Sequence, residues 1–296
     1  MDKKTITLNH GETLAYVERG DVKNPVLLLL HGNMSAGSHF EPVFEGFEKH
    51  FRIIAPDLRG FGDSTYHTPI ESLDDFAEDV RQLMDELHIY DAHVAGWSTG
   101  GGVAMSLAAD HPERVKTLVL IESAPHTGYP VFKKDENMQP VIGDIYKTKD
   151  EMAQDPVQVK PIADALERGD EAFMRMLWQN GIFNVSTPDE GMFTRFIAET
   201  MKQRNLVDVD WALMTFNISD AYNGLVEGDG RIKNITMPVL AFHGEKDLVI
   251  PRGLFDALVA TLKHVEPVIW ENGSHAPLVD DPQRFIDTVT AFLLKN

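Results

Sequence analysis

Ala92-His-Val-Ala-Gly-Trp-Ser-Thr-Gly-Gly-Gly-Val-Ala-Met-Ser-Leu-Ala-Ala109 is the stretch that decides the fold. Its first half, Ala92 to Ser98, has the composition of a buried strand. Its second half, Gly100 to Ala109, is a run of small and apolar residues suited to a helix, ended by His111-Pro112. Between them, Gly96-Trp97-Ser98-Thr99-Gly100 sets a serine on a strand-to-helix turn with small residues two positions before and after it. The tightness of such a turn requires those small residues, and the helix amino terminus beneath the serine favours negative charge near its oxygen. Ser98 is therefore a candidate nucleophile.

Outward from this turn the chain alternates strand and helix. Pro25-Val-Leu-Leu-Leu-Leu-His31-Gly32 is an apolar run closed by glycine, the pattern of a parallel strand buried on both faces. Glu12 to Arg19 alternates like a half-exposed strand, and Phe51 to Asp57 reads as a further buried one. Ser72 to Leu87 has apolar residues at helical spacing after a Ser/Asp start, and Val115 to Ile121 is again a strand. From about His126 to Ile235 apolar residues fall three and four apart, no strand-like run appears, and Phe173 to Trp178 and Phe193 to Met201 read as helices. The α/β pattern then resumes with the strand Pro238 to Gly244, a helix near Leu254 to Leu262, the strand Val265 to Trp270 and a last helix from about Pro282 to Leu294. The expected organisation is a core built from residues 1–125 and 236–296, with a helical cap, residues 126–235, inserted between them.

The 296 residues are 43 % hydrophobic and 25 % charged, and carry 27 Lys plus Arg against 46 Asp plus Glu, a formal net charge of −19. Such a chain folds into a core and repels phosphate backbones, so nucleic acid is not an expected partner. The absence of cysteine excludes disulfides, thiolate metal sites and cysteine nucleophiles. The first twenty residues lack the apolar run and cleavage site of a signal peptide, and the apolar run Val26 to Leu30 is far too short for a membrane span. A cytoplasmic location is the expectation. Five Asn-x-Ser/Thr matches, beginning at Asn33, Asn184, Asn217, Asn234 and Asn272, are read as chance.

A serine hydroxyl needs a base to take its proton, and the base needs a carboxylate to hold its tautomer. His275, in Glu271-Asn-Gly-Ser-His-Ala-Pro-Leu278, follows a strand and sits in a loop at the carboxyl edge of the sheet, where ligands bind in open α/β sheets. Asp247, in His243-Gly-Glu-Lys-Asp247, follows another strand and reaches the same edge; Glu245 and Glu122 are the rival acids. Two backbone N–H groups are expected to receive the oxyanion, those of Thr99 and Asn33, with Met34 as the alternative if the loop after His31-Gly32 is aligned one residue differently. His31 itself reads as a brace for that loop.

His31-Gly32, Asp57-Leu-Arg-Gly-Phe-Gly-Asp-Ser64, Gly96 to Gly100, His243 to Asp247 and Gly273-Ser-His275 together resemble the α/β-hydrolase superfamily. That resemblance implies an α/β-hydrolase fold, a mostly parallel central sheet flanked by helices with an inserted helical cap. It also implies a triad in the order Ser98, Asp247, His275 and a structural role for the Asp57 to Ser64 loop. Ile121-Glu-Ser-Ala, Gly128-Tyr-Pro, Gln203-Arg-Asn-Leu206, Thr215-Phe-Asn-Ile-Ser219 and Ser274 to Asp280 resemble, more narrowly, the Bacillus-type intracellular short-chain polyhydroxyalkanoate depolymerases. A serine at the elbow argues against the haloalkane dehalogenases and epoxide hydrolases, which resemble this layout but have aspartate there.

The expected function is hydrolysis of a small-molecule carboxylic ester through an acyl-enzyme, with short-chain hydroxyalkanoate esters as a narrower case. No metal or organic cofactor is expected, since acyl transfer to Ser98 and on to water needs only the triad and the oxyanion donors. Methionines and aromatic residues of the cap, such as Met174, Trp178, Phe193 and Trp211, are expected to divide between cap core and an apolar pocket. The alternatives are another triad reaction (perhydrolase, lactonase, amidase or carbon–carbon hydrolase) or a receptor that turns over slowly. Oligomeric state is not readable.

Overall fold

The four leucines Leu27 to Leu30 supply the first structural reason for the architecture. Successive side chains of a strand point to opposite faces, so Leu27 and Leu29 enter one core and Leu28 and Leu30 the other. A sheet made of such strands must be covered on both sides. In a computed structural model describing residues 1–296, ten strands form: β1 Lys4–Thr7, β2 Thr13–Arg19, β3 Val26–Leu30, β4 Arg52–Pro56, β5 Ala92–Trp97, β6 Val115–Ile121, β7 Phe132–Lys134, β8 Pro140–Ile145, β9 Val239–Gly244 and β10 Val265–Trp270. Eight of them make one sheet in the order β1-β2-β4-β3-β5-β6-β9-β10. The six strands from β4 to β10 run parallel; β2 pairs antiparallel with β4 and β1 antiparallel with β2.

Helices Leu73–Glu86, Thr99–Asp110 and Arg252–Thr261 cover one face through Phe76, Val80, Val103, Leu107 and Phe255. Glu41–Phe47 and Pro282–Lys295 cover the other through Val43, Phe44, Phe285 and Val289. Ser72 opens the helix Leu73–Glu86 with a capping box closed by Asp75, whose Oδ2 accepts from the Ser72 N–H at 3.0 Å.

The strand order reverses between β3 and β5: the chain goes outward from β3 to β4, then returns to β5 and continues to β6, β9 and β10. The crevice beyond the carboxyl ends of β3 and β5 is where a sheet of this kind binds its ligand. Both the loop after His31 and the turn at Ser98 lie there.

Residues between β6 and β9 contribute no strand to this sheet. They form helices Lys160–Arg168, Glu171–Leu177, Glu190–Thr200 and Leu206–Thr215, with a π-turn at Trp178–Ile182. They also form the small hairpin of β7 and β8, which corrects the reading of this segment as free of strands. Pro140 to Asp144 are exposed, so no alternation of core and solvent positions marks the hairpin in the sequence.

A methyl group on Gly100 would stand 2.1 Å from the Leu30 carbonyl oxygen and 2.6 Å from that of His31, both backbone atoms that cannot step aside. The helix after Ser98 is thus seated directly on β3. Gly100→Ala is expected to cost about 1–3 kcal/mol, as overpacked cores do, measured as a lowered midpoint of urea unfolding.

Candidate active site

Ser98 adopts φ 55°, ψ −120°, a conformation rare for a residue with a side chain. It is held there by three backbone hydrogen bonds of 2.9 Å: its N–H donates to the Ile121 carbonyl, and its own carbonyl accepts from Gly101 and Ala124. The turn closes only because neighbouring backbones approach so closely. A Cβ on Gly96 would lie 2.2 Å from the Gly100 carbonyl oxygen, and one on Gly32 would lie 2.9 Å from Ser98 Cβ.

His275 is buried in the loop after β10, where its carbonyl accepts from Trp97 Nε1 at 2.7 Å. Its Nδ1 stands 2.8 Å from Asp247 Oδ2. Asp247 is fixed in turn by Val249 and Ile250, whose N–H groups donate to Oδ1 at 2.6 and 3.1 Å. With Nδ1 committed to a carboxylate, Nε2 is the nitrogen left to face a substrate hydroxyl or a serine. Ser98, His275, Thr99 and Asn33 all line one cavity of about 380 Å³, walled mainly by apolar side chains including Trp178, Ile182, Leu206, Leu213, Leu248 and Val249. Burial by itself would raise the Asp247 pKa; the His275 ring, the neighbouring Glu122 carboxyl and the Val249 N–H outweigh it and hold the group below its ordinary 3.8. Glu245, one rival acid, is half exposed and 3.7 Å from Arg252.

Thr99 is the first residue of its helix, so its N–H has no carbonyl one turn back to bond. Met34 N–H is already spent: it donates at 3.0 Å to Gln203 Oε1 and at 3.0 Å to Asn33 Oδ1. The Asn33 N–H donates to no protein acceptor, which favours it over Met34 as an oxyanion donor. The Asn33 side chain is anchored at both ends, with Nδ2 donating to Asp210 Oδ1 at 2.9 Å and Oδ1 accepting from Gln203 Nε2 at 2.7 Å. Thr200 Oγ1 donates to the Met34 carbonyl at 2.5 Å. Three residues of the segment between β6 and β9 thus clamp residues 33 and 34.

Residues 25–160 match the family model described as the alpha/beta hydrolase fold. The chain has the α/β-hydrolase fold. It is 25 % identical to a pimeloyl-[acyl-carrier protein] methyl ester esterase of Aeromonas hydrophila, over 92 % of this chain and 96 % of that one. It is also 25 % identical to Lipase 1 of Psychrobacter immobilis, over 99 % of this chain and 84 % of the relative. The crystal structure of a hydrolase from Pseudomonas aeruginosa superposes with a TM-score of 0.75 at 23 % identity, covering 99 % of this chain and 98 % of the other.

Glu122, the second rival acid, lies behind Asp247. Carboxyl oxygens of Glu122 and Asp247 and a ring nitrogen of His243 lie within 4.8 Å of one another. Glu122 Oε1 accepts from Gly244 N–H at 2.7 Å, while Oε2 approaches His243 Nδ1 at 3.3 Å without hydrogen-bond alignment. Burial, then the Asp247 charge, push the Glu122 pKa well above its ordinary 4.5, and burial keeps His243 neutral. These opposed shifts favour the negative charge of the trio on Asp247 over Glu122.

His31 ties the oxyanion loop to the next one. Its Nε2 accepts from Leu58 N–H at 2.9 Å and its Nδ1 donates to the Gly32 carbonyl at 2.8 Å, an arrangement that requires a neutral ring; burial holds its pKa near 3. Asp57 Oδ1 accepts from Gly37 N–H at 2.9 Å, Oδ2 from Asp63 N–H at 2.9 Å, and Lys3 Nζ bridges Asp57, Asp63 and Glu199 at 2.6–2.9 Å. Asp210 and Thr200 have no signature of function in the sequence, and Gln203 enters it only as part of a motif whose role the sequence does not give. Each sits on or beside a helix whose periodicity reports burial only.

Gln203→Leu removes both the acceptor of Met34 N–H and the donor to Asn33. The rate at which Ser98 is labelled by a fluorophosphonate is expected to fall about tenfold, less than the roughly 10²–10³ lost with an oxyanion donor itself, and the unfolding temperature to drop by a few degrees as buried partners of Gln203 are left unpaired. For Glu122, the folded state binds a proton that the unfolded state releases above pH 4.5. Stability from this group is full below 4.5 and declines as pH rises towards the folded value. Glu122→Gln keeps the neutral shape, so its unfolding temperature relative to the unmodified protein should rise as pH is raised from 4.5 to about 8, by scanning calorimetry.

Proposed function

We propose that this α/β hydrolase is a serine carboxylic-ester hydrolase working through an acyl-enzyme on Ser98. What carries the reading is the 2.8 Å contact of His275 Nδ1 with Asp247, in a ring that lines the same cavity as the strained Ser98 elbow. His275 Nε2 takes the Ser98 proton as Oγ attacks the ester carbonyl, and Asp247, ionised and fixed by two N–H donors, stabilises the imidazolium that forms. The oxyanion is received by the backbone N–H groups of Asn33 and Thr99, preset before substrate arrives. The ring then returns the proton to the leaving alcohol, and a water activated by the same nitrogen releases the acid. The names of the Aeromonas and Psychrobacter relatives, a methyl ester esterase and a lipase, point the same way.

A cavity of about 380 Å³ with an apolar wall suits a short acyl or alcohol chain. Short-chain hydroxyalkanoate esters are the narrower substrate class, supported by the likeness of the Gln203 to Leu206 and Ser274 to Asp280 segments to intracellular polyhydroxyalkanoate depolymerases. The test is a p-nitrophenyl ester series from acetate to decanoate, with intact mass after phosphonate treatment. We expect turnover that is highest for short chains, one adduct on Ser98, and a loss in kcat of about 10⁴-fold or more in Ser98→Ala. Labelling of Ser98 without turnover of any ester would move the lactonase, amidase and slow-receptor readings ahead.

A further inference from the structure

Among the residues lining the cavity, Asp210 is the only acid. It lies on the helix Leu206–Thr215 among the buried residues Val209, Ala212 and Leu213, a costly setting for a carboxyl group without partners. Its Oδ1 has one partner, Asn33 Nδ2 at 2.9 Å. Its Oδ2 has none in the protein, yet is not sealed off: Asp210 keeps part of its surface open, and that surface is on the cavity. Two of the other polar groups there are already engaged. Tyr129 Oη donates to the Val249 carbonyl at 2.8 Å, and Gln158 Oε1 accepts from Lys134 Nζ at 3.0 Å.

We infer that Asp210 is a specificity-determining residue whose free carboxyl oxygen hydrogen-bonds a hydroxyl group of the substrate, carried within a few bonds of the ester carbonyl. The inference rests on the ester-hydrolase reading above and deepens it. Its position follows from Asn33, whose backbone N–H is the oxyanion donor and whose side chain holds Asp210; one side chain separates the acid from the reacting carbon. The chemistry follows from the acid itself. A carboxylate accepts a hydrogen bond and a carboxylic acid donates one; a hydroxyl group answers both, an ammonium only the first and a carbonyl oxygen only the second. Burial raises the Asp210 pKa to about 8, so a partner that can both donate and accept, as a hydroxyl can, suits the site near neutrality. A buried site built to pair a hydroxyl discriminates against the analogue lacking it, because the protein group is then left unsatisfied.

Hydrolysis of two matched pairs, followed by proton release, tests this: methyl 3-hydroxybutyrate against methyl butyrate, and 2-hydroxyethyl butyrate against ethyl butyrate. The first places the hydroxyl on the acyl side and the second on the alcohol side. In the unmodified protein kcat/KM is expected to favour the hydroxylated member of one pair by about tenfold or more. In Asp210→Leu that ratio should fall to near one. Any disturbance of Asn33 affects both members of a pair alike and cancels from the ratio. Asp210→Asn, which retains an acceptor for Asn33 and alters only the free oxygen, should lower the ratio less and serves if the leucine variant does not fold. Equal rates within both pairs in the unmodified protein overturn the subsite while leaving the ester hydrolase standing, as does a ratio that survives in the folded variants. Failure to cleave all four esters, with Ser98 still labelled by phosphonate, overturns the ester reading and the subsite with it.

Discussion

The contact between the helix after Ser98 and the strand β3 is the constraint on which the site depends. It is a backbone-to-backbone contact, with no room for a Cβ at Gly100 against the Leu30 carbonyl or at Gly32 against Ser98. Because nothing flexible lies between them, the serine turn and the loop carrying Asn33 share one rigid seat. Ser98 and the Asn33 N–H, supplied by segments some sixty residues apart, are thereby held at a fixed spacing, as the proposed electrostatic stabilisation would require.

Charge management follows the same logic. Several carboxyl groups are gathered at or near the cavity, and burial sorts them. Asp247 keeps its charge because His275 and backbone donors outweigh its desolvation; Glu122, close behind it, gives up its charge because a second negative group there would face both burial and Asp247. Asp210 sits between these extremes, with one amide donor and an open oxygen on the cavity wall. Three acids of similar intrinsic strength thus take three protonation behaviours from three environments, and any role for each follows from that.

The segment between β6 and β9 is part of the chemistry as well as the walls. Gln203, Thr200 and Asp210 hold the loop of residues 33 and 34, while Trp178, Ile182 and Leu213 shape the space in front of Ser98. A change in the position of this segment would reach residues 33 and 34 directly, through hydrogen bonds of 2.5–3.0 Å.

The α/β architecture was readable from local pattern because its cause is local. Strands buried on both faces must be apolar at every position, as in Leu27 to Leu30, and a strand-to-helix turn too tight for side chains must carry glycine, as at Gly96 and Gly100. That Ser98, Asp247 and His275 would meet at one edge of the sheet was readable because each follows a strand there. The β7 and β8 hairpin was not, since exposed strands leave no hydrophobic alternation. Nor was the hydrogen bond that Met34 N–H makes to Gln203, 169 residues away. The roles of Glu122 and Asp210 were hidden for the same reason: a carboxyl group's charge is set by what surrounds it in space, and residues 122 and 247, or 33 and 210, become neighbours only when the sheet and the intervening helices are assembled.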